Sequence, residues 1–255
     1  MKNIPNLFTL LNLFFGCIAV ILILQNGIGV VYSADGSQYI SMPERIGEAS
    51  LFIGLAGLVD FLDGLVARLF KATSPLGKQL DSLADVVSFG VAPGMILYQM
   101  LRMSFMGQEN GLDVSVGWFM PALLFPCAAA YRLAKFNIDE TQRYGFKGVP
   151  TPAAGLLIAS LPLISWYSNN TVVVQALQNK WVIYALIGVV GYLMVSKLPL
   201  MALKFKDYSL RGNMPKLFLV LLAVVSAIFL RWLAVPVVFV FYIIVSLVSA
   251  EKNLS

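Results

Sequence analysis

The chain has 255 residues, 59% hydrophobic and 12% charged, with mean hydropathy +0.81 and a formal charge of +5. That composition excludes an ordinary water-soluble domain and indicates a polytopic membrane protein. It contains no histidine, so imidazole ligands and imidazole bases are excluded and acid–base work falls to carboxylates, Lys or Tyr.

Apolar runs predict eight helices, at about 7–31, 48–70, 77–101, 118–136, 150–167, 181–202, 214–231 and 234–250, each near the ~20 residues a bilayer core requires. The expected fold class is an all-α polytopic membrane bundle, one integral-membrane domain over 1–255. The first helix opens on Pro5-Asn6 behind a single Lys and lacks a small-residue cleavage site, so it reads as a retained helix rather than a signal peptide. Pro43-Glu44 precede the second helix and Ser74-Pro75 the third, Pro121 lies early in the fourth, and Pro236 starts the eighth. Cys17 and Cys127 fall within apolar runs and are expected to be small buried hydrophobes, neither disulfide partners nor metal ligands. Trp118, Trp166, Trp181 and Trp232 sit near segment ends as interfacial anchors.

Lys and Arg set the expected orientation. With the amino terminus in the cytoplasm, 14 of the 18 basic residues face inward, leaving only Arg45, Arg102, Lys180 and Arg231 outside. Both termini are therefore expected in the cytoplasm, with the chain in the cytoplasmic (inner) membrane. The basic excess then serves orientation and anionic membrane lipids, and no nucleic-acid partner is expected.

Against that background, one run carries chemistry. Asp60-x-x-Asp63-Gly64-x-x-Ala67-Arg68 is followed by Gly77-x-x-x-Asp81-x-x-x-Asp85. An Asp near the centre of a membrane helix costs ~2.5–3.5 kcal/mol on insertion scales, so four together need compensation. At 100° per residue, Asp60, Asp63, Gly64, Ala67 and Arg68 share an arc of about 140°. Asp81 and Asp85 are one turn apart, with Gly77 and Ser88 on the same face. A short connection through Ser74-Pro75 makes the two helices antiparallel neighbours, so their acidic faces meet near the expected cytoplasmic mouth. Carboxylates without His or Cys suit Mg²⁺ or Mn²⁺, with Ca²⁺ a possible occupant. Four Asp balance two divalent cations, which together clamp a pyrophosphate, and Arg68 adds bidentate phosphate binding.

This run resembles the signature of the CDP-alcohol phosphatidyltransferases at all eight of its positions, with eight residues between Arg68 and Gly77. More of the chain resembles the phosphatidylserine synthase branch: Ile4-Pro5-Asn6-Leu7-Phe8-Thr9 with Asn12, Arg132-Leu133-Ala134-Lys135-Phe136-Asn137, Phe146 to Ala154, and Val195-Ser196-Lys197-Leu198-Pro199. The resemblance spans roughly the first 200 residues. It implies a six-helix catalytic core over 1–202, beyond which 214–250 is an additional helix pair.

The resemblance further implies transfer of a phosphatidyl group from CDP-diacylglycerol to L-serine, with release of CMP and no covalent enzyme intermediate. Asp60, Asp63 and Asp85 would bind one cation and Asp60, Asp81 and Asp85 the other, while Asp85 would deprotonate the serine hydroxyl. Gly64, Ala67, Arg68, Gly77, Asn6 and Thr9 would line the CDP site. Serine's carboxylate needs a cation, for which Arg132 and Lys147 are the candidates, with Asn137 and Thr151 as polar support. A homodimer is the family expectation. Two other readings use the same residues: a sister transferase acting on glycerol 3-phosphate or inositol, and an Asp-dependent ion transporter. The transporter reading calls for repeated halves, which the sequence lacks.

Overall fold

A computed structural model describes residues 4–25, 29–32, 38–41, 44–69, 74–106, 113–139, 146–201 and 210–251. Among these the fold is helical, with two short strand pairs at the bundle ends. Helix α1 is Ile4–Leu24 and α2 is Glu44–Leu69; between them β1 (Gly29–Tyr32) pairs antiparallel with β2 (Gln38–Ser41). The expected first helix ran to residue 31, but α1 ends at Leu24 and 29–31 belong to β1, while 26–28 lie outside the described residues. The last helical bond joins Gln25 N to Ile21 O, and the β-branched Val30-Val31 beyond Gly29 favour a strand.

Helix α3 (Pro75–Asp85) starts on a Ser74 cap, whose side chain accepts from Gly77 N. It continues through a π-helical turn, Val86–Val91, into α4 (Ala92–Met106). The expected helix 118–136 is instead two 3-10 turns, around Val116–Trp118 and Met120–Leu123, leading into α5 (Leu124–Ile138). Pro121 lies in the first positions of the second turn, where its missing N–H costs no bond. Strand β3 (Phe146–Lys147), α6 (Thr151–Tyr167), α7 (Thr171–Gln178) and α8 (Lys180–Val195) follow. The expected helix over 181–202 stops early because Ser196 turns extended and Pro199 enters β4 (Pro199–Leu200), which pairs with β3. Helices α9 (Leu210–Leu230) and α10 (Ala234–Glu251) pack on each other across a break where Arg231 adopts φ 51°.

By length and apolarity, Pro5–Leu24, Arg45–Val66, Pro75–Met106 and Asn213–Ser249 qualify as membrane-crossing stretches, and α7 with α8, bent by 73°, makes a fifth if taken as one span. Close packing rather than water exclusion must hold such helices together in lipid, and small residues permit it. A Cβ on Gly16 would collide with Ser88, so α1 lies directly against the π turn. A Cβ on Gly155 would come within 2.8 Å of Phe89 Cβ, which seats α6 on the same turn. Phe89, Phe125, Ile96, Ile158 and Ile183 fill the core between these helices. Cys17 and Cys127 are both exposed on the bundle's outer face rather than buried, and neither is bonded.

Side-chain pairs fix which ends lie together. Gln99 donates to Ile23 O and Arg45 to Gln25 at one end, where Tyr184 also meets Trp118. At the other end lie the starts of α1, α3 and α6 and the ends of α2, α5 and α8. Lys78 there donates to Asn137 O, Lys147 pairs with Asp139, and β3 pairs with β4.

Candidate active site

All four aspartates of the acidic run converge at that second end. One carboxylate oxygen from each of Asp60, Asp81 and Asp85 lies within 4.8 Å of the others. Asp60 and Asp81 come within hydrogen-bonding reach of each other. Carboxylates this close repel unless a proton or a cation lies among them. The donor set is all hard oxygen, with Asp63 in electrostatic range, and it fits a divalent ion of the Mg²⁺ or Mn²⁺ type.

Helix α1 braces this cluster. Thr9 Oγ1 donates to Asp63 Oδ2, and Asn12 Nδ2 donates to Asp85 Oδ1 at 3.2 Å. Ser88 Oγ in turn donates to Asn12 O at 3.0 Å, so the π turn locks the helix that holds Asp85. π turns interrupt α-helices frequently at functional sites, and this one begins immediately after Asp85. Asn12 is 0% exposed and its Oδ1 has no partner among the described residues. Such an orphaned acceptor beside carboxylates is the environment a bound cation or donor completes.

The nucleotide-side candidates occupy the same end. A Cβ on Gly77 would come 3.1 Å from Asn6 Oδ1, which places Asn6 over the start of α3. Among the described residues nothing lies within 4 Å of where a Cβ on Gly64 would stand. The side chains of Ala67 and Arg68 lie outside the described residues, although both belong to α2.

The acceptor-side candidates divide. Arg132 is only 7% exposed, with its guanidinium 5.2 Å from the Phe136 ring centroid and within electrostatic range of Asp85 and Tyr242. Thr151 is fully buried at the start of α6, its hydroxyl without a partner among the described residues. It lies four residues before Gly155, which packs on Phe89, four residues after Asp85. Asn137 and Lys147 sit apart from that interior. Asn137 Nδ2 donates to Ser82 Oγ at 2.7 Å, and Lys147 Nζ lies 3.0 Å from Asp139 Oδ2.

The family model described as CDP-alcohol phosphatidyltransferase matches residues 2–193, three quarters of the chain and every aspartate of the cluster. The chain belongs to the CDP-alcohol phosphatidyltransferase family. Among its relatives, a Helicobacter pylori protein named CDP-diacylglycerol–serine O-phosphatidyltransferase is 32% identical over 229 residues, covering 89% of this chain and 81% of that protein. A Bacillus subtilis protein of the same name is 34% identical over 158 residues, 60% of this chain and 75% of its own length. A Saccharomyces cerevisiae protein of that name is 36% identical over 129 residues, 47% of this chain and 42% of its own.

Within this family member, the aspartates and their helical faces were readable from spacing, whereas the bracing was not. Asn12 belonged to the resembling segment, yet nothing in an apolar helix shows that its amide reaches Asp85. The one sequence signal is its place three residues after Thr9 and six after Asn6, which puts all three on one side of α1. Tyr242 gave no signal in an apolar run.

Proposed function

We propose that this chain is a CDP-diacylglycerol–serine O-phosphatidyltransferase, making phosphatidylserine and CMP. The observation that carries the reading is the Asp60–Asp81–Asp85 cluster inside the family-matched segment, and relatives bearing that enzyme name support serine as the acceptor.

Asp60, Asp63, Asp81 and Asp85 would hold two divalent cations, Mg²⁺ or Mn²⁺, with Ca²⁺ able to occupy the same oxygens, and such cations would supply charge neutralisation of the pyrophosphate for in-line displacement at its lipid-bearing phosphorus. Asn6, Thr9, Gly64, Ala67, Arg68 and Gly77 form the CDP side. Thr9 acts through its bond to Asp63, and Gly64, having no side chain, lets the nucleotide approach the α2 backbone. Arg132 and Thr151 face the acceptor side, the buried guanidinium supplying a fixed charge for the serine carboxylate. Lys147 and Asn137 belong to its rim.

Asp85 Oδ1 is occupied by the Asn12 amide, which leaves the other carboxylate oxygen to take the proton of the serine hydroxyl. The serine Oγ–phosphorus bond forms as the phosphorus–oxygen bond to the CMP phosphate breaks, and CMP leaves as the phosphate monoester. The active site opens to the cytoplasm across the inner membrane, and the enzyme works as a homodimer. Residues 1–202 form the catalytic core and 214–250 an added helix pair.

The test is CMP release by purified protein given CDP-diacylglycerol, Mn²⁺ or Mg²⁺, and a panel of acceptors. Release with L-serine and phosphatidylserine as product are expected. Release with glycerol 3-phosphate or inositol instead would keep the chemistry and overturn the acceptor.

A further inference from the structure

The family match ends at residue 193, so nothing in it accounts for α9 and α10. Helix α10 packs on α6 and on β4, both of which belong to the acceptor side. Its Tyr242 is 8% exposed and its hydroxyl donates to Met201 O at 3.0 Å. Met201 directly follows β4, and β4 pairs with β3 through Phe146↔Leu200 and Lys147↔Pro199. The chain leaving β3 is fastened to the same segment, with Gly148 N donating to Leu198 O at 2.9 Å and Val149 N to Leu193 O at 3.0 Å. Gly148 has φ +78°, and a Cβ there would come 2.5 Å from Met194 O, so this crossing admits only glycine. Three residues after Gly148, α6 begins at Thr151.

A continuous chain of bonds thus runs from the Tyr242 hydroxyl through 193–201 to the turn that sets Thr151. The same phenol lies within electrostatic range of the buried Arg132. A buried tyrosine hydroxyl carries a desolvation cost, which its bond to Met201 O helps to offset, with Ser246 one turn along the same helix.

We propose that Tyr242 is a positioning residue for the acceptor half of the site: its hydroxyl holds Met201 and, through β4 and β3, the turn that sets Thr151 at the start of α6, while its phenol lies in electrostatic range of Arg132. The C-terminal helix pair is thereby part of the acceptor pocket rather than an appended anchor. The inference rests on the serine reading given under Proposed function.

The experiment compares full-length wild type with Tyr242→Phe, which keeps the ring and removes the hydroxyl. Serine KM should rise ~3–10-fold, the effect of losing one buried hydrogen bond, with CDP-diacylglycerol KM unchanged. An unchanged serine KM, or an equal rise in both, would overturn the proposal. Amide exchange supplies a second readout that needs no turnover: Gly148 and Val149 should exchange faster in the variant while α1 to α4 do not change. Equal exchange at those amides would also overturn it. Absence of serine-dependent CMP release in the wild type would instead remove the acceptor reading, and the exchange comparison would still decide the role of Tyr242.

Discussion

At the scale of single residues, the site is a set of carboxylates held by two amide and hydroxyl donors from one helix. Asp85 is the most buried of the four aspartates, 6% exposed, and the one bonded to Asn12. Asp85→Asn would remove both the proposed cation ligand and the proposed proton acceptor, so turnover should fall by at least ~10²-fold while the protein still purifies as a folded species. Retained turnover would remove Asp85 as the base. Asn12→Ala leaves the carboxylate in place and deletes its brace. Hydrogen bonds to charged groups contribute ~1.5–3 kcal/mol, which predicts a kcat loss of ~10–100-fold. That loss should appear together with weaker Mn²⁺ activation, measured by titrating the metal against CMP release, and Thr9→Val should weaken Mn²⁺ activation in the same direction through Asp63. Normal Mn²⁺ activation in both variants would contradict the bracing role of α1.

At the scale of elements, two glycines separate ligand access from packing. Gly64→Ala adds a methyl where no described residue lies within 4 Å, so folding should be unaffected while CDP-diacylglycerol KM rises. Gly155→Ala drives its methyl into the Phe89 backbone and should cost ~1–3 kcal/mol, seen as a lower Tm. The reverse pattern would show that the Gly64 face of α2 is not the ligand face. These contrasts also explain what was legible in the sequence. Apolar runs and prolines located the helical units because length and breaker chemistry act locally, and 100° arithmetic placed the aspartates on facing surfaces. The early end of α8 and the π turn after Asp85 were not legible, since β4 pairs with β3 and Ser88 bonds Asn12 O far along the chain, and the strand at Gly29–Tyr32 was hidden because its apolar residues also extend a helical run. Ser88 is an ordinary polar residue until Asn12 O stands 3.0 Å away. The split between Arg132 and Lys147 is of the same kind. Both are basic residues near one helix end in sequence, but Lys147 is drawn outward by Asp139.

At the scale of the whole molecule, the acidic site and the strand pair β3–β4 lie at one end of the bundle, and Arg45, Arg102 and Lys180 lie at the other. This segregation matches the positive-inside rule and supports a site that opens to the cytoplasm, where the nucleotide and divalent cations are available. A cysteine introduced at exposed Lys78 should be labelled by a membrane-impermeant thiol reagent only in inverted vesicles, and labelling in right-side-out vesicles would reverse the orientation. The exposed Cys17 and Cys127 are replaced by Ser beforehand so that the reagent reports one position. The central claim, that this fold transfers a phosphatidyl group to serine, is tested most directly by the acceptor panel. Purified protein is given CDP-diacylglycerol and Mn²⁺, and CMP is followed with L-serine, glycerol 3-phosphate or inositol. The account predicts CMP and phosphatidylserine with L-serine and little release with the others; no release with serine, or faster release with another alcohol, would contradict it.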